Sequence, residues 1–135
     1  MSTEENKALA RRVYEEVMNQ RNLAVLDEPY VPDFVYHGTS RTIQGVEAFK
    51  QAAKLYFTAF PDLHLTIEDL IAEGDRVVVR FTYRATHQGD FMGIPATGKQ
   101  VVVPGIGIMR IVNGKVLEEW VNQDPLPQLG VVPTP

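Results

Sequence analysis

One stretch limits what this chain can fold into more than any other. Residues 99–124 read KQVVVPGIGIMRIVNGKVLEEWVNQD. Two extended apolar runs, Gln100–Val112 and Lys115–Val121, flank Asn113-Gly114. That pair predicts a β-hairpin, because a type I′ turn needs positive φ at both central residues. Side chains alternate across a strand. One face of the first run carries Val101, Val103, Gly105, Gly107, Met109 and Ile111; the other carries Val102, Pro104, Ile106, Ile108, Arg110 and Val112. Both faces are largely apolar, which predicts cover on both sides. Pro104, Gly105 and Gly107 inside the run predict a bend, a bulge or the close approach of another group. A long strand that bends implies a curved sheet, and a curved sheet can enclose a cavity.

The remainder of the chain supplies helices and further strands. Ser2 with Glu5 reads as a capping box opening a helix that runs to about Gln20, with Leu9, Ala10, Val13, Tyr14 and Val17 as its apolar stripe. Asn22 is expected to cap a short helix over Leu23–Asp27, stopped by Pro29 and Pro32. Phe34–His37 reads as a strand and Gly38–Gln44 as a polar loop. A second helix follows, with Val46, Phe49, Ala53, Tyr56, Phe57 and Phe60 inward, ended by Pro61. Leu63–Ile71 and Arg76–His87 alternate as strands about the turn Glu73-Gly74-Asp75. On the second of these, Val77, Val79, Phe81, Tyr83, Ala85 and His87 share a face. Gln88–Gly98 is Gly-rich yet carries Phe91, Met92 and Ile94, which marks a candidate lid. Pro125–Pro135 reads as an irregular tail. Helices followed by sequential strands predict a single α+β domain over 1–135: helices closing one face of a bent antiparallel sheet.

Composition narrows the function classes. The chain of 135 residues has a net charge of −4 and no cysteine. With no dense cluster of Lys and Arg, no nucleic-acid partner is expected. Disulfide and thiol chemistry are excluded. The sequence has neither a signal-like apolar core near its start nor a run of membrane-spanning length, so no membrane partner and a cytoplasmic address are expected. No nucleophile elbow, phosphate loop or dinucleotide fingerprint is present. His37, His64 and His87 lack zinc-site spacing, and no metal is expected.

The candidate chemistry is acid/base. His87 ends an apolar strand face where the lid-like loop begins, which suits a general base at a cavity mouth, or equally a histidine tied to loop backbone. Asp124 follows the last strand near Trp120, where an apolar setting would raise its pKa; it could equally cap the turn before Pro125. His37 ends a strand and is placed at the cavity. His64 is expected in solvent. Glu118 and Glu119 lie on opposite faces, so only one can face inward. Trp120 is either core or a ligand platform. Tyr14, Phe57, Tyr83 and Met109 are core residues positioned to line a cavity, and the Tyr14 and Tyr83 hydroxyls would need polar partners there. Met92 would contact a ligand from the lid.

The loop FMGIPATGK, the strand ending in Met109-Arg110, the Asn113-Gly114-Lys115 turn and the Glu118-Glu119-Trp120 strand together resemble the SnoaL-like polyketide (ester) cyclases of the nuclear transport factor 2-like superfamily. The resemblance implies a cone-shaped curved sheet closed by the N-terminal helices around an apolar cavity. It also implies cofactor-free aldol closure, in which a carboxylate removes a proton beside a carbonyl and later returns one. The cyclase aspartate falls at Val121 here and a cyclase histidine at Gly107. Glu119, on the face of Val121, could supply a carboxylate from one step away. Three readings follow: an enzyme acting on a hydrophobic carbonyl compound through His87 with Asp124 or Glu119; a holder of an apolar small molecule; and an interaction domain. A homodimer or higher homo-oligomer through the outer sheet face, near Val78, Val102, Ile106 and Ile108, is also expected.

Overall fold

The computed structural model describes residues 2–130. Its elements are α1 (Thr3–Gln20), β1 (Tyr30–His37), β2 (Thr42–Gln44), α2 (Val46–Ala59), β3 (His64–Glu73), β4 (Arg76–Thr86), β5 (Gln100–Val112) and β6 (Lys115–Asn122), with 3₁₀ turns at Leu23–Leu26 and Leu126–Leu129. The strands form one curved, unclosed sheet in the order β2-β1-β6-β5-β4-β3.

Local chemistry accounts for most boundaries. Ser2 Oγ accepts from the Glu5 backbone N–H while the Glu5 carboxylate accepts from the Ser2 N–H, so the expected capping box is formed. Asn113 and Gly114 have φ of 50° and 74°, as the type I′ turn requires. The β3–β4 hairpin turns at Gly74, also at positive φ. Asn19, in the last turn of α1, clasps the Leu65 backbone from both sides: Nδ2 donates to its carbonyl at 2.9 Å and Oδ1 accepts from its N–H at 2.7 Å. This fixes α1 against the edge strand and covers part of that edge.

Several expectations need correction. Asn22 makes no side-chain cap to the Leu23–Leu26 turn. β1 starts earlier than Phe34 and contains Pro32; its register against β6 shifts between Tyr30 and Val35, where a residue without an N–H can be accommodated. The loop Gly38–Gln44 contains β2. The sheet is not wholly antiparallel, for β1 runs parallel to β6. These strands are separated by α2 and four other strands, so no tight turn dictates their relative direction. The start of the tail is a 3₁₀ turn, Leu126–Leu129, while residues 131–135 lie outside the described range. Finally, β5 is buried on one face only: Val102 and Ile106 on its outer face are 43% and 49% exposed.

The glycines of β5 mark close approach rather than the bend. A Cβ at Gly105 would overlap the Phe81 ring, and one at Gly107 would overlap the Tyr14 hydroxyl. The β5–β6 register shift lies elsewhere, between Arg110 and Ile111.

The inner faces of β4 and β5 and the stripe of α1 form the continuous core, with Ala10, Val13, Val77, Val79, Val101, Val103 and Met109 all buried. α2 behaves differently. Only Val46 and Ala59, at its two ends, are fully buried, while Phe49, Ala53, Tyr56 and Phe57 between them are half-buried. The middle of its inward face borders a void.

Candidate functional site

That void is a cavity of about 440 Å³. α1 contributes Val13, Tyr14 and Val17, and α2 contributes Ala53, Tyr56 and Phe57. The sheet contributes Tyr30 and Tyr36 from β1, Phe81 and Tyr83 from β4, and Glu119 and Val121 from β6. The mouth is edged by residues 38–41, by Asp90, Phe91 and Met92 of the long loop, and by Gln123–Leu126.

Strand parity explains how a carboxylate reaches this wall. Along β6, Glu119 and Val121 face in, and Glu118 and Trp120 face out. Glu119 is 3% exposed. It accepts a 2.5 Å hydrogen bond from the Tyr14 hydroxyl, which spans the cavity floor from α1. Burial penalises the charged form and raises the Glu119 pKa to about 7, from an ordinary 4.5, against the lowering effect of the Tyr14 hydrogen bond. Burial also raises the Tyr14 pKa well above 10, and the adjacent carboxylate raises it further, so Tyr14 remains a donor. Glu119 is therefore a buried carboxyl group whose pKa is raised toward neutral inside the cavity, with one hydroxyl holding it in place.

Tyr14 also occupies the space that a side chain at position 107 would need. The Cβ of such a residue would lie 3.2 Å from Val121 Cγ2 and would overlap Tyr14 Oη. The Tyr14–Glu119 pair thus stands beside both positions, 107 and 121, at which the resemblance places the cyclase histidine and aspartate. The polar groups come from different positions of the chain but reach the same part of the wall.

A second polar group lies on the wall. The Tyr56 and Tyr83 hydroxyls touch each other, and both lie within hydrogen-bond distance of Gln123 Oε1, at 3.1 and 3.0 Å. Burial raises the pKa of both phenols, so each keeps its proton.

Among the residues singled out in the sequence, Tyr14, Phe57, Tyr83, Met92, Glu119 and Asp124 line the cavity. Asp124 sits at the mouth, and its Oδ1 accepts from Leu126 N–H at 2.9 Å, capping the 3₁₀ turn. His87 is not at the mouth. It is fully buried beyond the cavity wall, because the ring of Phe60 and the returning loop fill the end of the β4 face. Its Nδ1 accepts from Thr97 N–H at 3.2 Å and lies 3.0 Å from Thr97 Oγ1, which places the ring proton on Nε2. His87 therefore secures the loop. His37 and Trp120 lie on the opposite face of the sheet, since Tyr36 and Glu119 take the inward positions of the paired strands. There the two rings stack at 5.3 Å and His37 Nε2 meets Glu118 Oε2 at 2.6 Å. Met109 is fully buried behind the wall. His64 is exposed, as expected. Tyr30, Tyr36, Tyr56 and Gln123 complete the polar wall without having been assigned to it. Parity could have placed Tyr36, next to the outward His37, and Gln123, two residues past Val121.

Among the described residues, no group of three or more His, Asp or Glu could hold a metal ion, and no helix is long and apolar enough to cross a membrane.

A curved sheet under two helices, with an ionisable group inside the intervening hollow, defines a small α+β domain with an internal cavity. More specifically, this chain belongs to the SnoaL-like polyketide cyclase family, whose sequence model matches residues 8–130. Solved structures agree. AclR of Streptomyces galilaeus, described as a candidate hydroxylase, is 32% identical, with 98% of this chain and 100% of that chain covered and a TM-score of 0.84. A SnoaL-like candidate polyketide cyclase from Jannaschia sp. CCS1 is 25% identical, with 98% and 94% covered and a TM-score of 0.88. IdmH of Streptomyces antibioticus, a candidate polyketide cyclase, is 28% identical, with 93% and 99% covered and a TM-score of 0.77. A comparison with curated proteins finds no match.

Proposed function

We propose that the cavity is an active site for acid/base chemistry on a small apolar carbonyl compound, with Glu119 as the proton-transfer group. The observation that carries this reading is the position of Glu119: buried, facing the cavity, held by Tyr14 and titrating at about 7. A general base works best with a pKa near the working pH. As carboxylate, Glu119 takes a proton from the carbon beside the substrate carbonyl, and the C–H electron pair moves to the carbonyl oxygen as an enolate. In an aldol closure the enolate carbon then forms a bond to a second carbonyl carbon, and the carboxylic acid returns its proton to the new alkoxide. Tyr14 orients the carboxylate throughout.

This assignment replaces His87 and Asp124 with Glu119. His87 has no access to the cavity, and Asp124 is engaged in capping. A second reading, passive retention of an apolar ligand, draws support from Val121 and Gly107, which leave the family's two polar positions bare.

One experiment separates the two. Deuterium exchange at the α-carbon of 2-tetralone in D₂O is followed by NMR with the parent protein and with Glu119→Gln. Catalysed exchange is expected, rising with pH to a plateau above about 7, and falling by a factor of about 10²–10⁴ in the variant. Exchange equally fast in the variant would reject Glu119 as the base. Saturable binding of tetralone with no exchange above buffer would favour retention.

A further inference from the structure

The second polar group on the wall has no part in this proton transfer. We infer that the Tyr56 and Tyr83 hydroxyls form a subsite for a carbonyl oxygen, and that the Gln123 side-chain amide occupies it when no guest is bound. This rests on the acid/base reading and adds to it a place for a ligand's oxygen.

The geometry is that of a receptor already holding a surrogate. Two phenol oxygens converge on one sp² oxygen, Gln123 Oε1, at 3.1 and 3.0 Å. Tyr83 is 1% exposed and rises from β4; Tyr56 comes from α2 on the facing side, and its ring meets that of Tyr83 edge-on at 6.0 Å between centroids. Phe91 packs on Tyr56 and so restricts its movement. The two donors are therefore positioned by opposite layers of the protein, independently of the amide they contact. An amide oxygen and a ketone or ester oxygen are acceptors of the same kind, so a ligand carbonyl can replace the amide at nearly equal cost in hydrogen bonds.

Gln123 is suited to yielding its place. It lies just past the last residue of β6. Its backbone is anchored separately: Thr39 Oγ1 donates to its carbonyl at 2.8 Å and accepts from its N–H at 3.0 Å. The side chain can swing away while the main chain stays fixed.

The subsite also constrains the ligand. Glu119 and Gln123 are four residues apart with inward-facing Val121 between them, which at 3.3 Å per residue is about 13 Å along the backbone. Both side chains reach into the cavity and shorten that gap. A guest that satisfies both places an enolisable carbon near Glu119 and a ketone or ester oxygen near Tyr56 and Tyr83.

The test uses 2-acetylnaphthalene as probe and 2-ethylnaphthalene, of the same shape without the oxygen, as control. Binding is measured by fluorescence and the bound ketone's C=O stretch by infrared spectroscopy. Tyr56→Phe/Tyr83→Phe is expected to weaken the ketone about tenfold, as loss of two ordinary hydrogen bonds implies, to raise its C=O frequency, and to leave the hydrocarbon unaffected. Gln123→Ala is expected to bind the ketone several-fold more tightly than the parent. If the double variant does not fold, Tyr56→Phe at its half-buried position tests the same two shifts. Unchanged ketone affinity and C=O frequency in the phenylalanine variants would overturn the subsite, as would absence of ketone binding to both the parent and Gln123→Ala. Because the readout is binding, it fails independently of Glu119: loss of exchange in Glu119→Gln with no effect of the tyrosines rejects the subsite alone.

Discussion

At the scale of single residues, the site depends on an omission. Gly107 has no side chain, and the Tyr14 hydroxyl stands in the space this leaves. In sequence the glycine reads only as a weak point in a strand. Its actual purpose needs α1 and β5 in contact, which sequence spacing does not give. Gly107→Ala tests the dependence. The added methyl displaces the hydroxyl and breaks its bond to Glu119. Since that bond lowers the Glu119 pKa, its loss moves the midpoint of the tetralone pH–rate profile above about 7, and the plateau falls about tenfold. An unchanged midpoint would mean that Tyr14 does not hold the carboxylate. Glu119 itself was legible as one of two adjacent glutamates on opposite faces; the resemblance, which places a cyclase aspartate at Val121, pointed to the face of Glu119 as the inward one, and Glu119 lines the cavity. His37 and His87 misled because their residue type suggests chemistry, whereas their placement is decided by neighbours such as Trp120 and Phe60.

Among the elements, β5 was the most legible, since its turn, length and alternation all follow from local rules. The cover expected on its outer face is what the single chain lacks. Val102 and Ile106 are exposed there, beside half-buried Val78 and Ile108. We propose that a second copy of the chain covers this face. Ile106→Asp places a charge at its centre and is expected to turn a dimer into a monomer in sedimentation equilibrium without altering the far-UV circular dichroism. A parent chain that sediments as a monomer at tens of micromolar would refute the proposal. The parallel pairing of β1 with β6 was not legible, because it depends on a long-range return with no turn to encode it. The loop after β4 was only partly so: its apolar residues announced that it folds back, but not that His87 and Thr97 tie it down.

For the whole molecule, the ionisation of Glu119 links function to stability. Its pKa is raised from 4.5 to about 7 on folding. Between those values the folded protein keeps a proton that the unfolded chain has released. Stability therefore declines as pH rises through this window, by about 3 kcal/mol in total, at about 1.4 kcal/mol per pH unit. Asp62, whose pKa is lowered by hydrogen bonds from Thr86, acts in the opposite sense, but it is common to parent and variant and cancels in the comparison. Glu119→Gln keeps an acceptor for Tyr14 and has no charge to bury. It is expected to be more stable than the parent at pH 8 by up to about 3 kcal/mol, with the difference vanishing near pH 4.5, in guanidinium unfolding at the two pH values. A constant difference across that range would show that Glu119 is not the titrating group. The ionised form that removes protons is thus the less stable form of the fold.

The half-buried middle of α2 has a consequence for how the protein behaves when empty. A helix buried at both ends and only half-buried between them is missing part of a layer that the chain does not supply. An arriving molecule would fill that layer and become, for its stay, part of the protein's interior. Occupancy would then be felt first as a stiffening of the central turns of α2, where amide hydrogens would exchange with solvent more slowly while those at its ends scarcely changed.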